Sequence, residues 1–230
     1  MNNKELTFHY RQMYDAAVAA IVHQRYQLDT MLDCPTDNRR GITLLIRPTK
    51  SVRKNIVQFL QQIQQIEPEQ YYYPETDMHL TVLSIVSCVE GFVLEDVDLL
   101  KVKTIIQDTL AKMPRFSIDF YGITASPSCI LIQGFPKQET LNLMRERLRE
   151  AFAQSNLGLS IDARYTLNTA HMTVIRLRKP LHDSGLFCRY IDRYRTFDFG
   201  SAQVDTIELV YNDWYQRHLK CMPLTSYPLL

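Results

Sequence analysis

Glycine is scarce in this chain, with only seven in 230 residues. No Gly-x-Gly-x-x-Gly turn and no Gly-Lys-Ser/Thr phosphate loop can be assembled from them, so a Rossmann or P-loop nucleotide site is excluded. Net charge is also small, at +1. A polyanion cannot be held by the field of the whole molecule, and any anion site must be local. The five cysteines (Cys34, Cys88, Cys129, Cys188, Cys221) are odd in number, scattered, and never in a Cys-x-x-Cys pair. That pattern argues against a disulfide framework or a zinc knuckle and for small core residues in a reducing cytoplasm. No apolar run is long enough for a membrane span, and the first residues, Met-Asn-Asn-Lys-Glu, are polar, so no membrane association is expected.

What the chain does have is core-forming material: 46% apolar and 22% charged residues, the balance of a globular protein. Residues 8 to 28 read as an amphipathic helix, with Tyr10, Met13, Tyr14, Ala17, Val18 and Ile21 at helical spacing. The polar run Cys34 to Gly41 marks a break. Residues 1–40 are therefore expected to form an N-terminal helical extension, and residues 41–230 the main two-lobed domain.

In that domain a strand, Ile42 to Ile46, leads to a helix with Val52, Ile56, Phe59, Leu60 and Ile63 on one face. Tyr71 to Asp77 reads as a loop before a strand from Met78 to Val86. A helix from about Leu94 to Met113 follows, then strands Phe116 to Ile123 and Ile130 to Gly134 about a Ser-Pro-Ser turn. A helix spans Glu139 to Gln154, with Arg145, Arg147 and Arg149 assigned mostly to its wet face. A strand from His171 to Leu177, a helix carrying Phe187 and Ile191, and runs Val204 to Tyr211 and Cys221 to Tyr227 complete the chain. Without a clean βαβ alternation, the order predicts an α+β fold, with helices on the outer faces of mainly antiparallel sheets.

The chemistry is carried by a repeated tetrad, His79-Leu80-Thr81-Val82 and His171-Met172-Thr173-Val174. Residues two apart share a face of a strand, so each copy presents one imidazole and one hydroxyl while its apolar residues point into packing. Either copy alone is well explained as a half-buried histidine in an ordinary strand. Two copies in one chain are expected by accident in about a tenth of a percent of cases at ordinary residue frequencies. Two such strands side by side would aim two imidazoles at one cleft. A neutral histidine can take a proton from an attacking oxygen while a protonated one gives a proton to a leaving oxygen. The threonine hydroxyls can hold the charge that develops on non-bridging phosphate oxygens. Glu75 and Asp77 near His79 lack the further ligands a metal would need.

The paired His-apolar-Thr-apolar strands, about ninety residues apart, resemble those of the two-histidine phosphoesterase superfamily, with its LigT-like RNA ligases and 2′,3′-cyclic phosphodiesterases. The resemblance covers residues 41 to 230. It implies a bilobal α+β fold with pseudo-twofold symmetry and a cleft between two sheets, with His79 and Thr81 on one lobe and His171 and Thr173 on the other. It further implies metal-independent phosphodiesterase chemistry on a nucleotide or RNA substrate, with no cofactor. The alternatives are 2′-5′ ligation by the reverse reaction, or a nucleotide-binding module without turnover. Arg176 stands where such proteins often carry an arginine and is carried over as a substrate-binding residue, although strict alternation from His171 puts it on the opposite face, so that it reaches a phosphate only if the strand bulges or ends there. The basic run from Arg164 to Arg195 is a candidate for steering phosphate. Tyr72 and Tyr73 are the preferred candidates to stack a base, with Tyr211 and Trp214 behind them. His182 is read as a cap of the fourth helix. Nothing in the sequence calls for a second subunit, and a monomer is expected.

Overall fold

The computed structural model describes residues 1–230. Its strands form two antiparallel sheets. The first holds β1 (Arg40–Ile46), β3 (Leu80–Val89), β8 (Thr206–Asp213) and β9 (Met222–Pro228), in the order β3-β1-β8-β9. The second holds β2 (Tyr71–Tyr72), β4 (Phe116–Ser126), β5 (Cys129–Pro136), β6 (Ala170–Arg176) and β7 (Asp198–Val204), in the order β2-β6-β5-β4-β7. Helices α3 (Leu99–Leu110) and α4 (Thr140–Ala153) pack on the first sheet. Helices α1 (Asn3–Val22) and α2 (Lys50–Ile66) pack on the second, and α5 (Ser184–Asp192) packs against both of these helices. The α+β architecture expected from the element order is the one observed.

The apolar stripes account for this layering. On α2, Val52, Ile56, Phe59, Leu60 and Ile63 are all buried, as helical spacing requires. From Gly41 onward every residue of β1 is buried, so β1 is covered on both faces, as a central strand should be. The two-residue turn between β4 and β5 falls at Pro127 and Ser128, where the Ser-Pro-Ser reading placed it.

Several boundaries differ from expectation, each for a local reason. The first helix spans Asn3–Val22, not 8 to 28. Asn2 caps it in a capping box with Glu5, and it ends at His23. The segment read as a helix from Leu94 begins as a short 3₁₀ turn, and the α-helix starts only after Asp98, whose carboxylate caps Lys101 N. The run Val204 to Tyr211 is two strands. β7 ends at Val204, Asp205 breaks the chain, and β8 crosses into the other sheet. Tyr71 and Tyr72, read as loop, pair with Arg176 and Ile175 as β2. Arg145 is not on a wet face; it is 1% exposed. His182 does not cap α5. Asp183 does, accepting from Leu186 N, while His182 Nδ1 meets the Glu67 carboxylate at 3.2 Å.

Helix α1 lies against β4, β5 and α5, and Leu6, Tyr10, Tyr14, Ala17 and Ile21 are buried there. The Tyr10 hydroxyl, on a fully buried ring, accepts from Ala170 N at 3.1 Å and reaches Gly134 O at 3.4 Å. It thereby fills the end of the β5–β6 ladder beside His171.

Candidate active site

One cleft is lined by His79, Thr81, His171, Thr173 and Arg176 together. The two tetrads are not side by side in one sheet, as two neighbouring strands would be. β3 is an edge strand of the first sheet, β6 lies inside the second, and the cleft runs where these strands approach each other. His79 also sits one residue before β3 instead of within it. Its position is set by the 3₁₀ turn Glu75–Asp77, because its Nδ1 lies 2.7 Å from Asp77 O.

Both strands bulge just after their threonines. In β6, Thr173 faces Leu131 and Ile175 faces Ile130, so Val174 is an extra residue. In β3, Thr81 faces Leu45 and Leu83 faces Leu44, so Val82 is the extra one. A bulge turns two successive residues inward: Val174 and Ile175 are both buried, as are Val82 and Leu83. The next residue then returns to the cleft face. That residue is Arg176 in one copy and Ser84 in the other, and both line the cleft. Strict alternation therefore fails for Arg176.

Each bulge leaves a carbonyl that an outside donor takes up. Val174 O accepts from Tyr73 N at 3.0 Å. Val82 O accepts from Arg145 Nε at 2.9 Å. Arg145 Nη2 also donates to Thr81 O and Thr169 O, both at 2.9 Å. This buried cation thus ties the two motif strands from behind. Burial pushes its pKa down to about 10, with Arg149 adding to the shift.

The two imidazoles are held differently. A carbonyl can only accept, so His79 Nδ1 carries the proton toward Asp77 O, and Nε2 is left for the cleft. His171 Nδ1 lies 2.7 Å from Thr169 Oγ1, which can donate or accept, so its tautomer is not forced. Burial lowers the pKa of each. His79 falls to about 4, with Arg47, Arg176 and His171 adding to burial against the pull of Asp77 O. His171 also falls to about 4, with Arg145 and His9 adding to burial. The Thr81 and Thr173 hydroxyls are open to the cleft.

Arg176 is clamped. Its Nε donates to Tyr73 Oη at 2.9 Å and its Nη1 to Asp29 Oδ2 at 3.1 Å, leaving Nη2 without a protein partner. Burial works against its charge, but Tyr73, Cys129 and Asp29 hold the guanidinium protonated, above its ordinary pKa.

The expected base-stacking tyrosines are elsewhere. Tyr73 is 2% exposed and spends its hydroxyl on Arg176, and Tyr72 donates to Glu67 O outside the cleft. Trp214 does line the cleft, with the Arg164 guanidinium 4.2 Å from its ring centre and the exposed Tyr165 nearby on the lining. Of the basic run, Arg164 and Arg176 reach the cleft. Arg178 pairs with Asp33, Arg193 lies over Tyr190, and Arg195 lies over Tyr14. Arg164 belonged to that run, but Trp214 ranked behind the tyrosines. Only the return of β8 beside β1 brings it to the site.

Residues 42–216 match the model of the AKAP7 2′5′ RNA ligase-like domain. The chain belongs to this family, within the LigT-like two-histidine phosphoesterase superfamily. Its fold is similar to that of Escherichia coli LigT in a structure described as complexed with 3′-AMP. The TM-score is 0.56 at 14% identity, over 83% of this chain and 98% of LigT. TT0787 of Thermus thermophilus aligns with a TM-score of 0.56 at 16% identity, over 82% of this chain and 97% of its own. ATU0111 of Agrobacterium tumefaciens gives 0.57 at 15% identity, over 90% and 97%. Among curated proteins none matches the sequence. No helix of the chain is long and apolar enough to cross a membrane.

Proposed function

We propose that this protein is a phosphodiesterase. It acts, without a metal, on a nucleotide or RNA phosphodiester that is 2′,3′-cyclic or 2′-5′ linked. The observation that carries this reading is the convergence of His79, Thr81, His171 and Thr173 on one cleft from two sheets. In the proposed reaction one imidazole, neutral at Nε2, removes the proton of the attacking oxygen. The other, protonated, delivers its proton to the leaving oxygen as the P–O bond breaks. The Thr81 and Thr173 hydroxyls and Arg176 Nη2 donate to the non-bridging oxygens, where charge grows. The one carboxylate of the cleft lining, Asp162, is paired with Arg149 at 2.6 Å. Charge stabilisation therefore falls to these donors. Trp214, Arg164 and Tyr165 supply flat surfaces for a base on the side of the first sheet.

The test is a panel of 2′,3′-cyclic nucleotides, 2′-5′ oligonucleotides and cyclic dinucleotides, incubated with a strong chelator and resolved by product mass. Cleavage of a cyclic or 2′-5′ bond that survives the chelator is expected. Turnover that requires added Mg²⁺ or Mn²⁺ would remove the mechanism. The same acid-base pair run in reverse would join RNA ends, and the family's ligase-like description favours adding 2′,3′-cyclic and 5′-hydroxyl RNA ends to the panel.

A further inference from the structure

We propose that Asp29, on the segment that follows α1, is a positioning residue for Arg176, so that the N-terminal segment is part of the active site. The inference rests on the reading of the cleft as a phosphate site. Asp29 lies outside residues 42–216, which match the family model, yet it reaches the cleft arginine directly.

Four hydrogen bonds and one ring contact carry the proposal. Asp29 Oδ2 accepts from Arg176 Nη1 at 3.1 Å. Asp29 Oδ1 accepts from Tyr215 Oη at 2.7 Å, and the Tyr215 ring lies under the same guanidinium, 5.1 Å from its centre. Asp29 N donates to Leu177 O at 2.8 Å, so the backbone of the segment is tied to the end of β6. On the other edge of the guanidinium, Tyr73 Oη accepts from Nε at 2.9 Å. The ion pair is well shielded, with side-chain exposures of 15% for Arg176 and 13% for Asp29.

A guanidinium is a planar fork, and fixing two of its nitrogens fixes the third. Asp29 and Tyr73 hold Nη1 and Nε of this cleft-lining residue, so Nη2, which has no protein partner, keeps one direction. A long arginine free to rotate would lose side-chain entropy on binding an anion, and one already clamped does not. The carboxylate also holds the charge of a guanidinium that burial would otherwise disfavour. Asp29 touches no reacting atom in this scheme; it acts through Arg176.

The rival is a latch that merely pins the N-terminal segment to the core. The two are separated by ligand binding to the full chain, read from the fluorescence of Trp214, the chain's single tryptophan and part of the cleft lining. The probes are inorganic phosphate, adenosine 3′-monophosphate and adenosine. Asp29→Asn is expected to weaken both phosphate-bearing probes about tenfold and leave adenosine unchanged. Arg176→Ala should weaken them at least as much, and the double variant should match Arg176→Ala within about twofold.

Phosphate affinity unchanged in Asp29→Asn with a lower unfolding midpoint, or additive losses in the double variant, would overturn the proposal in favour of the latch. Asp29→Ser is the second variant should Asp29→Asn fail to fold. The Arg176→Ala arm also decides alone, because unchanged phosphate affinity there leaves Asp29 nothing to act through. Phosphate binding that depends on Asp29 without turnover of any ester would keep this inference and remove the phosphodiesterase reading. Turnover indifferent to Asp29 would do the reverse.

Discussion

The proposed chemistry of the cleft rests on two imidazoles whose Nδ1 atoms are occupied differently. Asp77 O fixes the His79 tautomer, while Thr169 Oγ1 leaves His171 free to take either. In the proposed scheme each ring makes one of the two proton transfers and a turnover needs both, so their losses should not add. His79→Ala and His171→Ala are each expected to lower kcat by about 10²- to 10⁴-fold, with the double variant little worse. Full activity in His171→Ala would make the second tetrad structural. Thr81→Val and Thr173→Val should each cost about 2–4 kcal/mol of transition-state stabilisation if their hydroxyls hold the charged oxygens. Steady-state kinetics on a cleaved ester checks all five variants. The convergence of these four residues was legible from spacing, since a repeated tetrad with strand alternation admits few other arrangements. The place of Arg176 was legible only as a condition, that the strand bulge or end before it. A bulge has no sequence mark at Val174, and one extra residue turns every later side chain over. Nor could the sequence tell that Tyr73 would be buried beneath that arginine while Trp214, across the chain, would reach the cleft.

Among the elements, α1 and α4 both hold the motif strands. Tyr10 on α1 closes the ladder beside His171, and Arg145 on α4 bonds to carbonyls of both motif segments. Tyr10→Phe leaves a buried Ala170 N–H without its partner and should destabilise the fold by about 1–3 kcal/mol. A denaturant midpoint unchanged from wild type would show that water replaces the hydroxyl. Arg145→Met removes three bonds from a charged donor. It also removes a desolvated cation and the unpartnered Nη1. Bonds to charged groups are worth about 1.5–3 kcal/mol each and an orphaned group costs about 1–3. The balance favours keeping the arginine, and a net loss on the order of 3 kcal/mol is expected from urea unfolding. Helices and long strands were legible because their apolar periods are regular. The separation of β7 from β8 was hidden, because one aspartate between two apolar runs reads as a continuous strand with an outward charge. Arg145 was misread because a helix-face assignment made from charge cannot foresee three carbonyls waiting beneath.

At the scale of the whole molecule, the two histidines couple protonation to folding and, in the proposed reaction, to catalysis. Each has its folded pKa lowered by burial to about 4, below the ordinary value. Folding stability from keeping the rings neutral is therefore fully present above about pH 6.5 and is lost as pH falls toward about 4. An anion between the rings reverses that preference, because it favours a charged imidazole. Substrate binding should then take up a proton, and affinity for a phosphodiester should weaken as pH rises above the free-protein values. The kinetic parameters separate the two states. kcat/KM follows the free enzyme, where both rings titrate low, while kcat follows the complex. Both profiles are expected to be bells belonging to the coupled pair, with the kcat optimum at least about one pH unit above that of kcat/KM. Arg145→Met removes a cation that also lowers the His171 pKa, so it should move the kcat/KM bell upward, in a direction its loss of stability does not predict. Coincident optima for kcat and kcat/KM, or a rate that keeps climbing into alkaline pH, would show that the rings do not share a proton across a bound phosphate.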